Sequence, residues 1–533
     1  MVSKLPGLLS RYASRLIGIR FHLRRRCQKP NFVIGSSAEA DHKKEEPLMR
    51  VNYQTNATVQ FQILTEDQRQ EIFRAALEVL EHVGVDVFNE EALAIFKKQG
   101  AWVEGVRVRI PNHLVRQALA TAPSSFTVYS REGNPEKNIA IGPNRVHYGP
   151  GPTCPNMRDP RTGERRKYLR KDARDVALVC DALPHIDFVE SLGTIGDVTP
   201  DLADVYEFAD MIANTGKPIV AWSYTLETCR DIHQIAIAVA GGEEAFKLKP
   251  NYIFYAEPLS PLTSNQEAMD KLLYCSKHRI PIVYTPCPMC GGTAPTTSAG
   301  VLVTALCESL HGLVISQAIS PGTGFVMGGV VSIMDMLHTT LAYGAPELSL
   351  QSAALTEMGR YLGLPVWSTA GCTDSKVLDE QAGIESAISV LFAGLSGADL
   401  VHDVGFLEGA ITGSLHMAVM SDEAIGYVKR ILRGIEVTPE TLATEVISEV
   451  GPGGHFLATE HTLTHFKDQF WFPTLMDRSR WAEWEAAGSL SMGDRVQMQI
   501  NDVLDTHEPV PLGPEAQKQI DEILAKAEAR YRA

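Results

Sequence analysis

The sequence predicts an α/β fold, a (β/α)8 TIM barrel with an N-terminal α/β cap and a C-terminal helical layer. From about residue 145 the chain repeats one unit: a short apolar, β-branched or aromatic run, a loop rich in Gly, Pro, Thr and Ser, then a stretch of helical apolar spacing. Eight such units over about 270 residues match a closed barrel. No phosphate-gripping G-x-G-x-x-G follows the first run, which argues against an open doubly wound sheet.

Before the barrel, Thr65-Glu66-Asp67-Gln68 followed by Ile72, Phe73, Ala76, Leu77 and Leu80 places a cap, an amide in the first turn and a helical apolar stripe over 65–83. Gly84 ends it. Val85-Asp86-Val87, a second helical stretch through Leu93 and Phe96, and extended pieces such as Phe126-Thr127-Val128-Tyr129 complete a cap over 49–144. The barrel, 145–420, has candidate strands at 145–149, 186–192, 218–223, 252–256, 281–285, 324–330, 365–369 and 399–404. The C-terminal region, 421–533, holds predicted helices at 422–433, 439–450 and 514–532. Its aromatic cluster, Phe466, Phe470, Trp471, Phe472, Trp481 and Trp484, is expected to pack on the barrel. The last helix has alternating charge and few large apolar residues, the pattern of a solvated face or of a contact in a homo-oligomer.

With 533 residues, 44% apolar and 21% charged, the composition is globular, and a net charge of −15 gives no basic footprint for nucleic acid. Charge is uneven. The first 48 residues hold ten Lys/Arg against four Asp/Glu, and no acid precedes Glu39. This basic extension resembles an organellar transit peptide. Translation starting at Met49 is the favoured expectation, because the acidic, well-patterned chain begins there. No stretch of about twenty uninterrupted apolar residues marks a membrane span. Nine cysteines, mostly within apolar segments, are the usage of a reduced, cytoplasmic protein. Cys287 and Cys290 have C-x-x-C spacing, but a single such pair is a weak metal signal.

In barrels, reactive groups come from the carboxyl ends of the strands and the loops that follow. Glu257 directly follows the apolar and aromatic run Tyr252–Ala256 and is expected to point into the mouth as a catalytic carboxylate. His402 and Asp403 end the eighth strand, where alternation lets only one of them face inward; His402 is the catalytic candidate. Tyr148, Trp222, Tyr284, Trp367 and Phe406 form a candidate wall of ring faces, the surface that holds a quaternary ammonium.

Four segments carry a family resemblance: residues 257–262 (EPLSPL), 285–296 (TPCPMCGGTAPT), 343–351 (YGAPELSLQ) and 371–385 (GCTDSKVLDEQAGIE). In this order they look like the trimethylamine methyltransferase (MttB-like) family, over essentially Met49 to the C-terminus. The resemblance implies methyl transfer from an amine to the Co(I) of a corrinoid (cobalamin) bound by a partner corrinoid protein. It also brings Cys372 and Asp374 into the substrate-binding set. Archaeal members use pyrrolysine, whose nearest equivalent is the stretch around Cys372; every residue here is standard.

Loss of pyrrolysine favours a donor that needs no electrophilic activation. A quaternary ammonium expels a neutral tertiary amine directly, so glycine betaine or a similar small quaternary amine is the expected donor, with trimethylamine the alternative. A betaine carboxylate wants donors, and His402, His338, Gly291-Gly292 and Gly328-Gly329 are the candidates. Two rival readings differ in chemistry: a zinc-dependent barrel using Cys287, Cys290 and Cys372, and a quaternary-amine-binding protein without turnover.

Overall fold

A computed structural model describes residues 57–532. The basic extension, 1–48, lies outside them. The first helix is Glu66–His82 and begins as expected: Gln68 N–H donates to the Thr65 hydroxyl, and Thr65 N–H donates to the Gln68 side chain. Its buried stripe of Ile72, Phe73, Ala76, Leu77 and Leu80 packs on the long helix Ser298–Ile319. That long helix has a mean hydropathy of 1.6, enough by composition to cross a membrane, but 78% of its apolar window is buried, the position of a core helix. Val85–Val87 pairs antiparallel with Arg107–Arg109 and parallel with Thr263–Ser264 of a barrel loop, so the cap sheet is completed by the barrel.

Seven parallel strands form the barrel wall: β1 His147–Pro150, β2 Ile219–Ala221, β3 Tyr252–Ala256, β4 Ile282–Tyr284, β5 Phe325–Gly328, β6 Val366–Thr369 and β7 Leu400–Val404. They pair in sequence from β2 to β7, and β7 closes on β1. The eighth stave, predicted at 186–192, is present as an irregular segment between β1 and β2. Asp187 N–H donates to Tyr148 O at 2.6 Å and Val189 N–H to Pro218 O at 3.0 Å, which closes the ring. Its upstream end is held by Lys217, whose ammonium donates to the carbonyls of Cys180, Leu183 and Ile186 at 2.6–2.7 Å.

One apolar layer fills the barrel: Phe188, Val220, Ile253, Val283, Val326, Trp367 and Leu400. Below it, the antiparallel hairpin of Phe126–Val128 and Ile139–Ile141 contributes Val128, Ile139 and Ile141 to the same cluster and plugs the amino-terminal end. A cleft of about 670 Å³, bordered by Gln60, Arg360, Pro365 and Asp399, opens at that same end, away from the strand ends where barrel chemistry sits.

The helical layer consists of Leu415–Leu432, Met492–Thr506 and Pro514–Arg532. The first begins seven residues before its predicted start, capped by the Ser414 hydroxyl. The last is not a free face, since Ile520 and Ala527 are buried. The predicted helix 439–450 is broken into Pro439–Leu442 and Thr444–Val450 by Ala443 at φ 51°. The aromatic cluster also departs from expectation. Trp481 is 72% exposed, Phe470 62% and Phe472 55%, because the helices of this stretch are too short to present a continuous apolar face.

Candidate active site at the barrel mouth

Strand alternation decides which side chains enter the barrel. On β3, Ile253 and Tyr255 point inward and Glu257 continues that row; on β2, Trp222 follows Val220; on the irregular stave, Glu190 follows Phe188; on β7, His402 follows Leu400. The Trp367 and His402 rings stand 4.5 Å apart, with Tyr255 at 5.8 Å from Trp367 and 6.3 Å from His402. Trp222 lies edge-on to Tyr224 at 4.7 Å.

His402 has a hydrogen-bond partner at Nε2 and, at Nδ1, a carboxylate close by without a hydrogen bond. Thr369 Oγ1 is 3.2 Å from Nε2, and Asp403 Oδ1 is 2.9 Å from Nδ1. The expectation that only one of His402 and Asp403 can serve the interior is corrected here. Pairing of β7 with β1 slips between Val401 and Val404, and Asp403 adopts φ 73°, so this bulge turns the Asp403 carboxylate back onto its neighbour's imidazole. Gly151 makes room for the turn: a Cβ there would stand 2.2 Å from Asp403 Oδ1 and 2.4 Å from Phe406 Cζ. Behind the pair, Glu190 is fully buried, has neither oxygen hydrogen-bonded, and lies 3.8 Å from His402 Nδ1. Burial, with the Asp403 charge beside it, holds its carboxyl well above the ordinary range.

Glu257 stands at the rim of this well. Tyr255 donates its hydroxyl to Oε2 at 3.0 Å. The carboxylate is open to water through the mouth yet walled by protein at its sides, and that desolvation pushes its pKa up to about 7, against the Tyr255 hydrogen bond. Its loop is pinned by Glu308, which accepts from Ser260 Oγ at 2.8 Å and Leu262 N at 2.7 Å.

Over the well lies Tyr343, edge-on to Phe406 at 6.1 Å. Asp374 does not face the well with free oxygens: Oδ1 accepts from Tyr343 N and Oδ2 from Gly344 N, both at 2.9 Å, so it clamps the loop that carries Tyr343. Glu385 accepts from Asp374 N at 2.9 Å and from the Thr373 hydroxyl. Cys372 is buried, its sulfur 4.0 Å from Tyr343 O. Burial first, then the Asp403 charge, raises its thiol well above the ordinary value; Cys287 is raised by burial and then by Glu257. Both are therefore thiols. Among the described residues no three His, Cys, Asp or Glu side chains are grouped to hold a metal ion, so Cys287, Cys290 and Cys372 do not form the ligand set of the zinc reading.

Two predicted ring-wall members lie elsewhere. Tyr148 points outward and donates to Val390 O at 3.1 Å, and Tyr284 points outward to Ser264 Oγ at 2.8 Å. The structure thus gathers Glu257, His402, Phe406, Trp222, Trp367 and Cys372, turns Asp374 into a clamp, and excludes Tyr148 and Tyr284. Sequence reasoning missed Glu190, Tyr255 and Tyr343 as members. Glu190 left a signal as one of two acids, with Asp187, in the apolar strand pattern 186–192, and Tyr343 as the first residue of the segment 343–351.

The trimethylamine methyltransferase (MTTB) family model matches residues 34–531. The chain belongs to this family. It is 33% identical to the trimethylamine methyltransferase MttB of Desulfitobacterium hafniense, covering 86% of this chain and 92% of that one. It is 31% identical to a glycine betaine methyltransferase of the same species, covering 87% and 97%. To the trimethylamine methyltransferase MttB of Methanosarcina barkeri it is 33% identical, covering 89% and 97%. Among solved structures, the Methanosarcina barkeri monomethylamine methyltransferase aligns with a TM-score of 0.48 at 11% identity, over 88% of each chain.

Proposed function

We propose that this protein moves a methyl group from a quaternary ammonium donor to the Co(I) of a corrinoid carried by a separate protein. The donor class includes the glycine betaine named for one relative. One observation carries the reading: a well walled by Trp222, Tyr255, Trp367, Tyr343 and Phe406, with the acids Glu190, Glu257 and Asp403 converging on it. Ring faces and carboxylates attract a cation that offers no hydrogen-bond donor.

The corrinoid supplies a two-electron nucleophile that bonds to the methyl carbon. The C–N pair leaves with nitrogen as a neutral tertiary amine, so this chain need not supply a proton. Its residues orient the cation and keep water from it. The rim fits a docked partner: Tyr224, Leu259, Met336 and Leu337, on loops after β2, β3 and β5, are 44%, 52%, 65% and 83% exposed. All eight described cysteines are free thiols, the state a reducing cytoplasm maintains.

The test mixes purified protein with chemically reduced cobalamin and one donor at a time, following loss of the Co(I) absorbance. The expected result is methyl transfer from a quaternary amine and none from trimethylamine. Transfer from trimethylamine alone would overturn the reading.

A further inference from the structure

The chain between the helices Leu415–Leu432 and Met492–Thr506 folds without a core of its own. Over residues 433–490 only Leu475 is buried. The four helices there, Pro439–Leu442, Thr444–Val450, Glu460–Gln469 and Trp481–Ala486, contain no buried residue. Helices this short are marginal in water, and the entropy lost in ordering so long a stretch has to be offset by burial. Its local geometry is nevertheless specified. Thr438 and Thr459 cap two of the helices, Arg430 donates to Gln469 O at 2.9 and 3.0 Å, and Glu423 accepts from the amides of Thr474, Leu475 and Met476.

What the stretch leaves in water is apolar. Ile435 is 90% exposed, Leu457 74% and Leu463 73%, and Val437, Phe470 and Trp481 are each more than half exposed. At roughly 200 Å² for a fully exposed large apolar residue, these six leave about 900 Å² uncovered. The largest apolar patch on a monomer is about 300–600 Å², and each partner in a standard protein interface contributes about 800 Å². No single helix of the stretch carries a continuous apolar face, but together they present the area that one such partner covers.

Position and charge select the partner. The helix Leu415–Leu432 starts at the strand ends, where Ser414 N–H donates to Gly405 O at 2.9 Å. It finishes at the opposite end of the barrel, where Leu432 O accepts from Thr58 N at 2.8 Å and Ala57 N–H donates to Asn144 O at 3.2 Å. The stretch leaves from that far end and runs back along the helix through Arg430 and Glu423, away from the mouth that the proposed acceptor protein would cover. Its charge is bipolar. Residues 434–466 carry Glu436, Glu440, Glu445, Glu449 and Glu460 with no Lys or Arg, whereas 467–480 carry Lys467, Arg478 and Arg480 against Asp468 and Asp477. Asp477 is already met by Arg495 of its own chain at 3.8 Å. A twofold axis sets the acidic part of one copy against the basic part of the other, so the complementary contact is made twice.

We propose that residues 433–484 form the interface between two copies of this chain related by a twofold axis. The apolar side chains supply the buried area, and the acidic and basic parts supply orientation. The dimer contact considered for the last helix thus belongs to the segment before it.

The experiment is sedimentation equilibrium of the full chain from submicromolar to tens of micromolar concentration. A dimer is expected, and Ile435→Asp together with Leu457→Asp should raise its dissociation constant at least about tenfold. Reversing Lys467, Arg478 and Arg480 to Glu in one variant, and Glu436, Glu445 and Glu449 to Lys in another, should weaken self-association of each, while mixing the two restores pairing. Should the variants fail to fold, hydrogen exchange of the unmodified chain gives the same answer: amides of 433–484 should exchange faster on dilution. A monomer at every concentration would overturn the proposal, as would a dimer indifferent to these substitutions and showing no such change in exchange. A full chain that is monomeric, and that associates only once residues 1–48 are removed, would assign the face to that extension and also overturn it.

Discussion

Replacing Lys217 with Met removes an ammonium but keeps the length and apolar stem of the side chain. The ammonium holds three carbonyls, those of Cys180, Leu183 and Ile186, at 2.6–2.7 Å. Two belong to the carboxyl end of the helix Arg170–Ala182, where the last carbonyls have no intrahelical donor and the helix dipole favours a cation. The third opens the irregular stave that carries Glu190. Each buried carbonyl left without a donor costs about 1–3 kcal/mol. Part of that is offset because the variant no longer buries a charge; burial already pulls the Lys217 pKa below its ordinary value. The net expectation is a loss of about 3 kcal/mol. The assay is equilibrium urea unfolding followed by tryptophan fluorescence, with hydrogen exchange reporting early opening of 186–192. A loss under about 1 kcal/mol, with unchanged exchange there, would refute the assignment of Lys217 as the clasp of the eighth stave.

Asp374→Asn leaves one of the Tyr343 and Gly344 amides without an acceptor, a penalty of about 1–2 kcal/mol on the closed loop; kcat/KM should fall about tenfold while amide exchange at Tyr343 and Gly344 accelerates. Gly151→Ala drives a methyl group into Asp403 and Phe406, so titration should show weakened donor binding together with about 1–3 kcal/mol of destabilisation in urea. Glu257, raised by burial from the ordinary 4.5 to about 7, favours folding in its neutral form: that contribution is complete below 4.5 and lost as pH rises through 7. Cation binding runs the other way, strengthening as pH rises through 7 because the ionised form attracts the donor. Titrations from about pH 6 to 8 should show this step, and Glu257→Gln should abolish it.

Much of the barrel is legible because each strand is a short apolar run closed by turn residues. Seven of the eight predicted runs form strands, and the eighth occupies its place through side-chain and loop hydrogen bonds that no propensity reports. Facing is harder to read. Parallel strands are buried on both sides, so Val283 and Tyr284 look equally interior in sequence, and only register shows that Tyr284 and Tyr148 turn outward. The pairing of His402 with Asp403 depends on a bulge and one left-handed residue, an exception to alternation that composition does not announce. Glu257 is legible because a carboxylate directly after a wholly apolar strand is costly to bury and must reach water or a cation at the strand's open end. Asp374 shows the converse, since the sequence marks the residue but not whether its oxygens meet a ligand or the backbone.

The hairpin that stops the lower end of the barrel has a kinetic consequence. With Val128, Ile139 and Ile141 sealing one end, the donor of the proposed reaction has to use the strand-end opening that the proposed acceptor protein would cover. Under the proposed reaction, turnover is expected to be compulsory-order: the amine enters first, the acceptor protein second, and the demethylated amine departs only after the acceptor lifts away. An excess of acceptor protein should therefore slow the reaction by trapping empty enzyme, an inhibition that rising donor concentration relieves.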